Sequence, residues 1–411
     1  MEKKASCCGC TACKMVCPQQ CIEMEYDEEG FIYPIVDNTK CIHCGVCKNI
    51  CPFEKNDTIN EDPIAIAAFC KDEQIRYESS SGGVFTILAT NVIEHGGIVC
   101  GAIFDSNTKK VKHFCVDTVD GLKVFRGSKY IQSELGNLYN KIQYYLAMDR
   151  KVLFSGTSCQ VAGLKAYLRK EYENLVCVEV ICHGVPSTKL WKNYVNYVEK
   201  KKGKIIDQIY FRSKKYSLGN YNVRDRICNK TDTFQFAFEN SFFRLFNSNI
   251  CLRPSCYECK VKGKNTKADI SLGDFWHIDE IYSDLDDGKG ISLVLLCTEK
   301  GKQLFKDVSD NMMIYKDKID YRIACKCNPA VINTMTKSDK RDEFFKDLCI
   351  LDYDKLVKKY SPKTGKIILK GILLRIGIWK IIQKLRNGHE VNNGEYGIRI
   401  ILKNDKSNIS K

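Results

Sequence analysis

The sequence predicts a mixed α+β and α/β protein in three parts. A small cysteine-rich module comes first, a larger α/β body with a mixed sheet follows, and a basic helical tail closes the chain. Three observations predict this. Ten of the 24 Cys fall between Cys7 and Cys51. From about Ile64 onward, apolar runs of strand length alternate with helix-like stretches, the pattern of an α/β body. Residues 361–411 carry eleven Lys and Arg against three Asp and Glu, more than half of the chain's net charge of +14. The boundaries read as 1–58, 64–350 (with two lobes divided near 150–170) and 351–411.

At 411 residues, 44% hydrophobic and 28% charged, the chain has the length and composition to bury a large core. A secreted disulfide scaffold would concentrate its cysteines in a much shorter chain behind an apolar leader. The sequence opens MEKKASCCGC without an apolar h-region, so a reducing, cytoplasmic setting is expected. No run of about 18 uncharged apolar residues occurs, so no spanning helix is expected. Thiols kept reduced point to metal.

Within the first part, Cys7–Pro18 and Cys41–Pro52 repeat one spacing at an offset of 34. Each copy reads C-x2-C-x2-C-x3-C-P, the run of bacterial two-cluster ferredoxins. Three thiolates at x2 spacing wrap one face of an iron–sulfur cubane, and the fourth reaches the other cluster. This assigns Cys7, Cys10, Cys13 and Cys51 to one [4Fe–4S] cluster, and Cys41, Cys44, Cys47 and Cys17 to the second. Zinc prefers two separated C-x2-C pairs and fits the triplets poorly. Cys8 and Cys21 are surplus to the pattern and read as bystanders. Between the copies, residues 22–36 alternate apolar and polar about a D-E-E-G turn, a short hairpin. Glu54–Pro63 is polar and punctuated, a linker.

In the body, strands are expected at 64–70, 98–104, 151–154, 175–182 and 293–297, and helices at 84–95, 161–170 and 190–200. No G-x-G-x-x-G follows a strand, so a Rossmann nucleotide domain is not indicated. The tail segment 366–386 places Lys366, Lys370, Lys380 and Lys384 on one stripe between apolar faces. It suits either docking within the protein or on a partner, or peripheral contact with an anionic membrane. A nucleic-acid role has no reader motif behind it.

Five ordered motifs span the rest: S79-S-S-G-G-V-F-T86, R126-G-S-K-Y-I-Q-S133, L153-F-S-G-T-S-C-Q160, V180-I-C-H-G-V-P-S187, and C251-L-R-P-S-C-Y-E-C-K260 followed by A268-D-I-S-L-G-D-F-W276. With the cysteine module they resemble the coenzyme F420 hydrogenase/dehydrogenase beta-subunit family, which includes 7-hydroxymethyl chlorophyll a reductase, over about residues 1–350. One departure is Ser158, where the family more often has Pro. The resemblance implies a flavoprotein, with FAD in the α/β body and iron–sulfur clusters exchanging electrons with it.

The motif residues support particular roles. Ser79, Ser80, Ser81, Gly82 and Gly83 form a loop running into a helix, suited to an anion or a flavin ring, or else to an ordinary N-cap by Ser81. Arg126 and Lys129 suit FAD phosphate or a carboxylated substrate, or plain surface charge. Asp274 suits a flavin hydrogen bond or a turn cap. Cys159 and Cys182 follow strand ends, which in open α/β sheets converge on the ligand crevice. With the C-x2-C pair Cys256 and Cys259 they make candidate ligands of a third [4Fe–4S] cluster, with Cys251 the rival. Cys100, Cys115, Cys177 and Cys297, inside apolar strands, read as packing. His183 and His277 are candidate proton donors, as Lys129 is a candidate catalytic group, although a hydrogen-bonded structural histidine is the commoner case.

The expectation is therefore an iron–sulfur flavoprotein oxidoreductase. Single electrons would pass between clusters and FAD, with two-electron exchange to F420 or another small molecule and a ferredoxin or other redox protein as partner. A non-catalytic electron-transfer subunit of a larger redox complex is the alternative.

Overall fold

The computed structural model describes residues 4–53, 61–214, 222–227, 231–282, 285 and 287–375. Residues up to Pro362 form one compact unit and Lys363 onward a second. In the second, the helix Gly365–Arg375 covers the start of the Lys-striped segment, whose remainder lies outside the described residues.

The front of the chain contains the expected hairpin. Strand β1 (Ile22–Tyr26) pairs antiparallel with β2 (Ile32–Val36), from Ile22 opposite Val36 to Tyr26 opposite Ile32. Short helices Ala12–Val16 and Val46–Asn49 each begin just before the third cysteine of a run. The next strands are β3 (Ile64–Cys70), β4 (Ile98–Asp105), β5 (Lys110–Val116), β6 (Ser133–Glu134), β7 (Val152–Thr157) and β8 (Leu175–Val180). They are followed by β9 (Ile206–Ser213), β10 (Asn222–Ile227), β11 (Thr231–Phe236), β12 (Ile270–Asp274), β13 (Ser292–Leu296) and β14 (Met312–Tyr315).

Nine of these form one mixed sheet in the order β14-β3-β13-β12-β8-β7-β4-β5-β6. Its centre, β12-β8-β7-β4, is parallel, and antiparallel strands extend it on both sides. β7 is buried along its first five residues, β8 along its first five and β13 throughout. Burial on both faces explains their unbroken apolar sequences, which alternation would have replaced had one face met water. The helices Val84–Glu94, Ser158–Leu168 and Thr188–Lys202 supply part of the cover. β9, β10 and β11 form a separate antiparallel sheet.

Two of the cysteines expected to pack singly do not. Register places Cys100 of β4 directly opposite Cys115 of β5, with Cα atoms 4.1 Å apart, and the two are joined as a disulfide. Cys177 is fully buried as expected.

Candidate metal centres and anion site

The first thiol set brings the two cysteine runs together. Burial, with the nearby charges of Cys10, Cys7 and Cys51, raises the Cys13 thiol to about 12. Cys51 of the second run therefore stands beside the three cysteines of the first, a placement that an exchange of fourth ligands would require. Gly9 permits the loop. Its φ is +70, and a Cβ there would meet Gln132 Nε2 at 2.8 Å and Arg253 Nη1 at 2.9 Å. The second set faces outward. Cys44 is exposed and Ile42 is 60% exposed. Cys17 Sγ lies 3.4 Å from Cys21 Sγ, and Cys21 is close enough to Cys41 to feel its charge. Cys21 thus sits among the ligand candidates.

The third set forms at the carboxyl edge of the sheet. β7 and β8 run parallel, Val152 beside Leu175 through Thr157 beside Val180, so residues just past their ends emerge together. Cys159 follows Thr157 at the start of the helix Ser158–Leu168, where Gln160 Oε1 accepts the Thr157 N–H at 3.0 Å. Cys182 follows Val180. Burial raises Cys182, and the charges of Cys256, Cys159 and Cys259 raise it further. Burial likewise pushes Cys256 to about 12 and Cys259 to about 11, both with Cys159 close by. Cys159 alone goes down, to about 7, chiefly through a hydrogen bond with Cys8. The helix N-terminus around it also favours a thiolate. The rival Cys251 turns away, its thiol directed at Leu245 O, 3.7 Å distant.

Cys8 is buried and hydrogen-bonds with both Cys10 and Cys159, so it touches the first and third sets at once. Among the described residues no three Cys, His, Asp or Glu side chains close on one point at the spacing of a single bound ion. Zinc with bonds of about 2.3 Å needs that closeness, and a cubane holds its four thiolates farther apart. Thiols raised by burial are neutral donors in a dry site. A cluster's positive irons are what would hold them as thiolates.

Two further groups border the third set. Lys262 Nζ donates to Cys182 O at 2.6 Å, Asn333 O at 2.9 Å and Ala330 O at 3.2 Å. Glu179 of β8, its carboxyl raised by burial, accepts from Ser271 Oγ at 2.6 Å and Thr266 Oγ1 at 2.7 Å. Both line a small cavity with Ser158 and Cys182, roomy enough for about one water and not for a three-ring group.

The Ser79–Gly83 loop lies elsewhere, and its polar groups are engaged by the protein. Ser79 Oγ donates to Ile75 O at 2.7 Å and Ser81 Oγ to Ile291 O at 2.8 Å. Ser80 Oγ accepts the Ser128 N–H at 2.6 Å, and Gly82 N–H donates to Ser292 Oγ at 3.0 Å. Gly83, with φ +88, is the N-cap of the helix in place of Ser81. What surrounds the loop is cationic. Lys214 Nζ donates to Arg76 O and, at 2.6 Å, to Ser81 O; Lys129 Nζ donates to the carbonyls of Val124, Phe125 and Arg126. Neither ammonium has a carboxylate partner among the described residues, and burial depresses both to about 7. Arg126 binds Glu78, while its buried Nε has no partner. Arg212 Nη1 donates to Asp274 Oδ2 at 2.6 Å. Two desolvated ammonium groups held only by carbonyls form a donor set that suits an anion such as a phosphate.

The proposed proton donors divide. His183 Nε2 pairs with Asn249 Oδ1 at 2.7 Å, and burial lowers the ring's basicity. His277 is on the surface, 3.2 Å from Glu280. Sequence reasoning missed His113, which is buried against Ser155 O (2.9 Å) with Nδ1 unpartnered. It also missed Arg253, Lys262, Glu179 and Lys214. Arg253 at least lay inside a motif already singled out, between Cys251 and Cys256.

Comparison with known proteins gives three family matches. The family models described as coenzyme F420 hydrogenase/dehydrogenase, beta subunit N-term and C terminus match residues 65–139 and 149–321. A 4Fe-4S dicluster domain matches residues 6–55. Among solved structures, a chain of the xenon-derivatised F420-reducing [NiFe] hydrogenase complex from Methanosarcina barkeri is 17% identical. The match covers 76% of this chain and 97% of that one, with a TM-score of 0.43. No curated protein matches the chain.

Proposed function

The chain belongs to the coenzyme F420 hydrogenase/dehydrogenase beta-subunit family and carries a 4Fe-4S dicluster domain, and from that premise we propose that it is an iron–sulfur flavoprotein oxidoreductase with three [4Fe–4S] clusters. The observation that carries the reading is the third thiol set, Cys159, Cys182, Cys256 and Cys259, joined to the first through Cys8.

The second set, Cys17, Cys41, Cys44 and Cys47, of which Cys44 is exposed, is where a ferredoxin-like redox protein would exchange electrons with the chain. The first set, Cys7, Cys10, Cys13 and Cys51, of which Cys10 is buried, relays them to the third. FAD, when bound, converts single electrons into two-electron exchange with a small organic molecule, F420 or another. Lys129, Lys214 and Arg126 would hold its phosphates, since their positive charge is buried without enough carboxylate to balance it. The Ser79–Gly83 loop supports Lys214 through the Ser81 carbonyl and does not itself cradle the ring.

Anaerobic purification with iron, sulfide and flavin stoichiometry tests this. About twelve irons and one flavin per chain are expected, and about eight in a Cys256→Ser, Cys259→Ser double variant. Eight irons in the unaltered chain would remove the third cluster. Flavin binding without turnover on any small acceptor would favour an electron-transfer subunit. A colourless, zinc-loaded protein would end the proposal.

A further inference from the structure

Arg253 is 1% exposed, and every hydrogen bond its guanidinium makes to oxygen is to a neutral one. Nε donates to Cys7 O at 2.7 Å, Nη2 to Ile32 O at 2.6 Å, and Nη1 to Gln132 Oε1 at 3.1 Å. Nη2 also approaches sulfur, Cys7 Sγ at 3.9 Å. The rings of Tyr33 and Phe31 cover it, with centroids 4.4 and 5.6 Å away. No carboxylate pairs with it among the described residues. A buried cation without an anion is costly, and an arginine does not escape by losing its proton.

The anion is supplied by position. Arg253 touches Cys7 of the first set, and three residues later Cys256 N–H closes the turn onto Arg253 O at 3.0 Å. We propose that Arg253 is a positioning residue that serves as shared counter-ion to the first and third clusters, holding both at higher reduction potential than they would otherwise have. This rests on the three-cluster reading above. A fixed positive charge favours the more negative, reduced state of a cluster, as do hydrogen bonds to its sulfurs. Among the described residues the second set, where Cys44 is exposed, has no buried guanidinium beside it. Electrons arriving there would thus be drawn inward.

The test uses the full chain, purified anaerobically, in Arg253→Gln and Arg253→Lys forms. Iron is counted first, and each cluster's potential is then followed by spectroscopic redox titration. Arg253→Gln should keep about twelve irons while the two inner potentials fall and the outer one stays. Arg253→Lys, keeping the charge, should lie near the unaltered protein. Unchanged inner potentials in the Gln variant, or an equal fall in all three, overturn the proposal. If the Gln variant does not fold, the Lys variant decides. Inner potentials that fall there, or failure of that variant to fold, make the role one of shape and not charge. Fewer than twelve irons in the unaltered chain would instead count against the three-cluster reading itself.

Discussion

A lysine held only by carbonyls has a pH dependence with a definite sign. Burial lowers Lys129 to about 7, against roughly 10.4 in an unfolded chain. Below about 7 both states are protonated and folding carries the full cost of the buried charge. Between the two values the unfolded chain holds a proton that the folded one has released, so Lys129's contribution becomes more favourable as pH rises. Replacing it with Met should therefore cost more stability at pH 9 than at pH 6. Thermal midpoints of the two proteins, compared at both values, measure the difference; a gap that narrows at high pH would contradict the burial of that ammonium. The same reasoning explains the anion site. A phosphate beside Lys129 and Lys214 returns them to the charged state, so its binding should weaken as pH climbs past 7.

At the scale of elements, the helix Ser158–Leu168 shows how closely the module approaches the body. A Cβ at Gly163 would lie 2.8 Å from Cys10 Cβ, 2.9 Å from Tyr139 Oη and 3.0 Å from Cys10 Sγ. Glycine inside a helix ordinarily costs about 1 kcal/mol relative to alanine. Here Gly163→Ala should destabilise instead, lower the thermal midpoint and reduce the iron held through Cys10; a stabilised variant with full iron would refute that close approach. The sequence pattern located this helix only from Val161, because Thr157, Ser158, Cys159 and Gln160 are polar and the capping glutamine lies before the apolar run. β3 was legible to the residue, Ile64–Cys70, since a strand buried on both faces along Ala65–Ala68 shows as an unbroken apolar stretch. β9 was not, because its alternation through Asp207, Gln208 and Tyr210 gives no continuous signal. The two cysteine runs of the module were legible because their spacing is local, whereas Cys159 and Cys182 could be approached only through their place past the ends of parallel strands. The cation cluster was not, since Lys129, Arg212 and Lys214 converge only through tertiary contact.

At the scale of the molecule, the cysteine module shares its core with the body. Phe31 and Tyr33 of the hairpin pack in one cluster with Trp191, Phe242 and Phe344, and Phe31 is wholly buried. The turn beside them is clamped as well. Arg341 forks onto Glu29, Nη1 to Oε1 at 2.9 Å and Nη2 to Oε2 at 2.5 Å, while Ser187 Oγ donates to Glu29 O. A ferredoxin on a flexible linker would melt alone and leave the body standing. Here the two should unfold together, since the same aromatic side chains are core to both. Phe31→Ala, at about 3–5 kcal/mol for a buried aromatic, should lower one transition common to cluster bleaching and to loss of helical signal. If bleaching moves down while the helical signal keeps its midpoint, the module is an independent domain. The relay through Cys8 and Arg253 would then lack the rigid seat it needs.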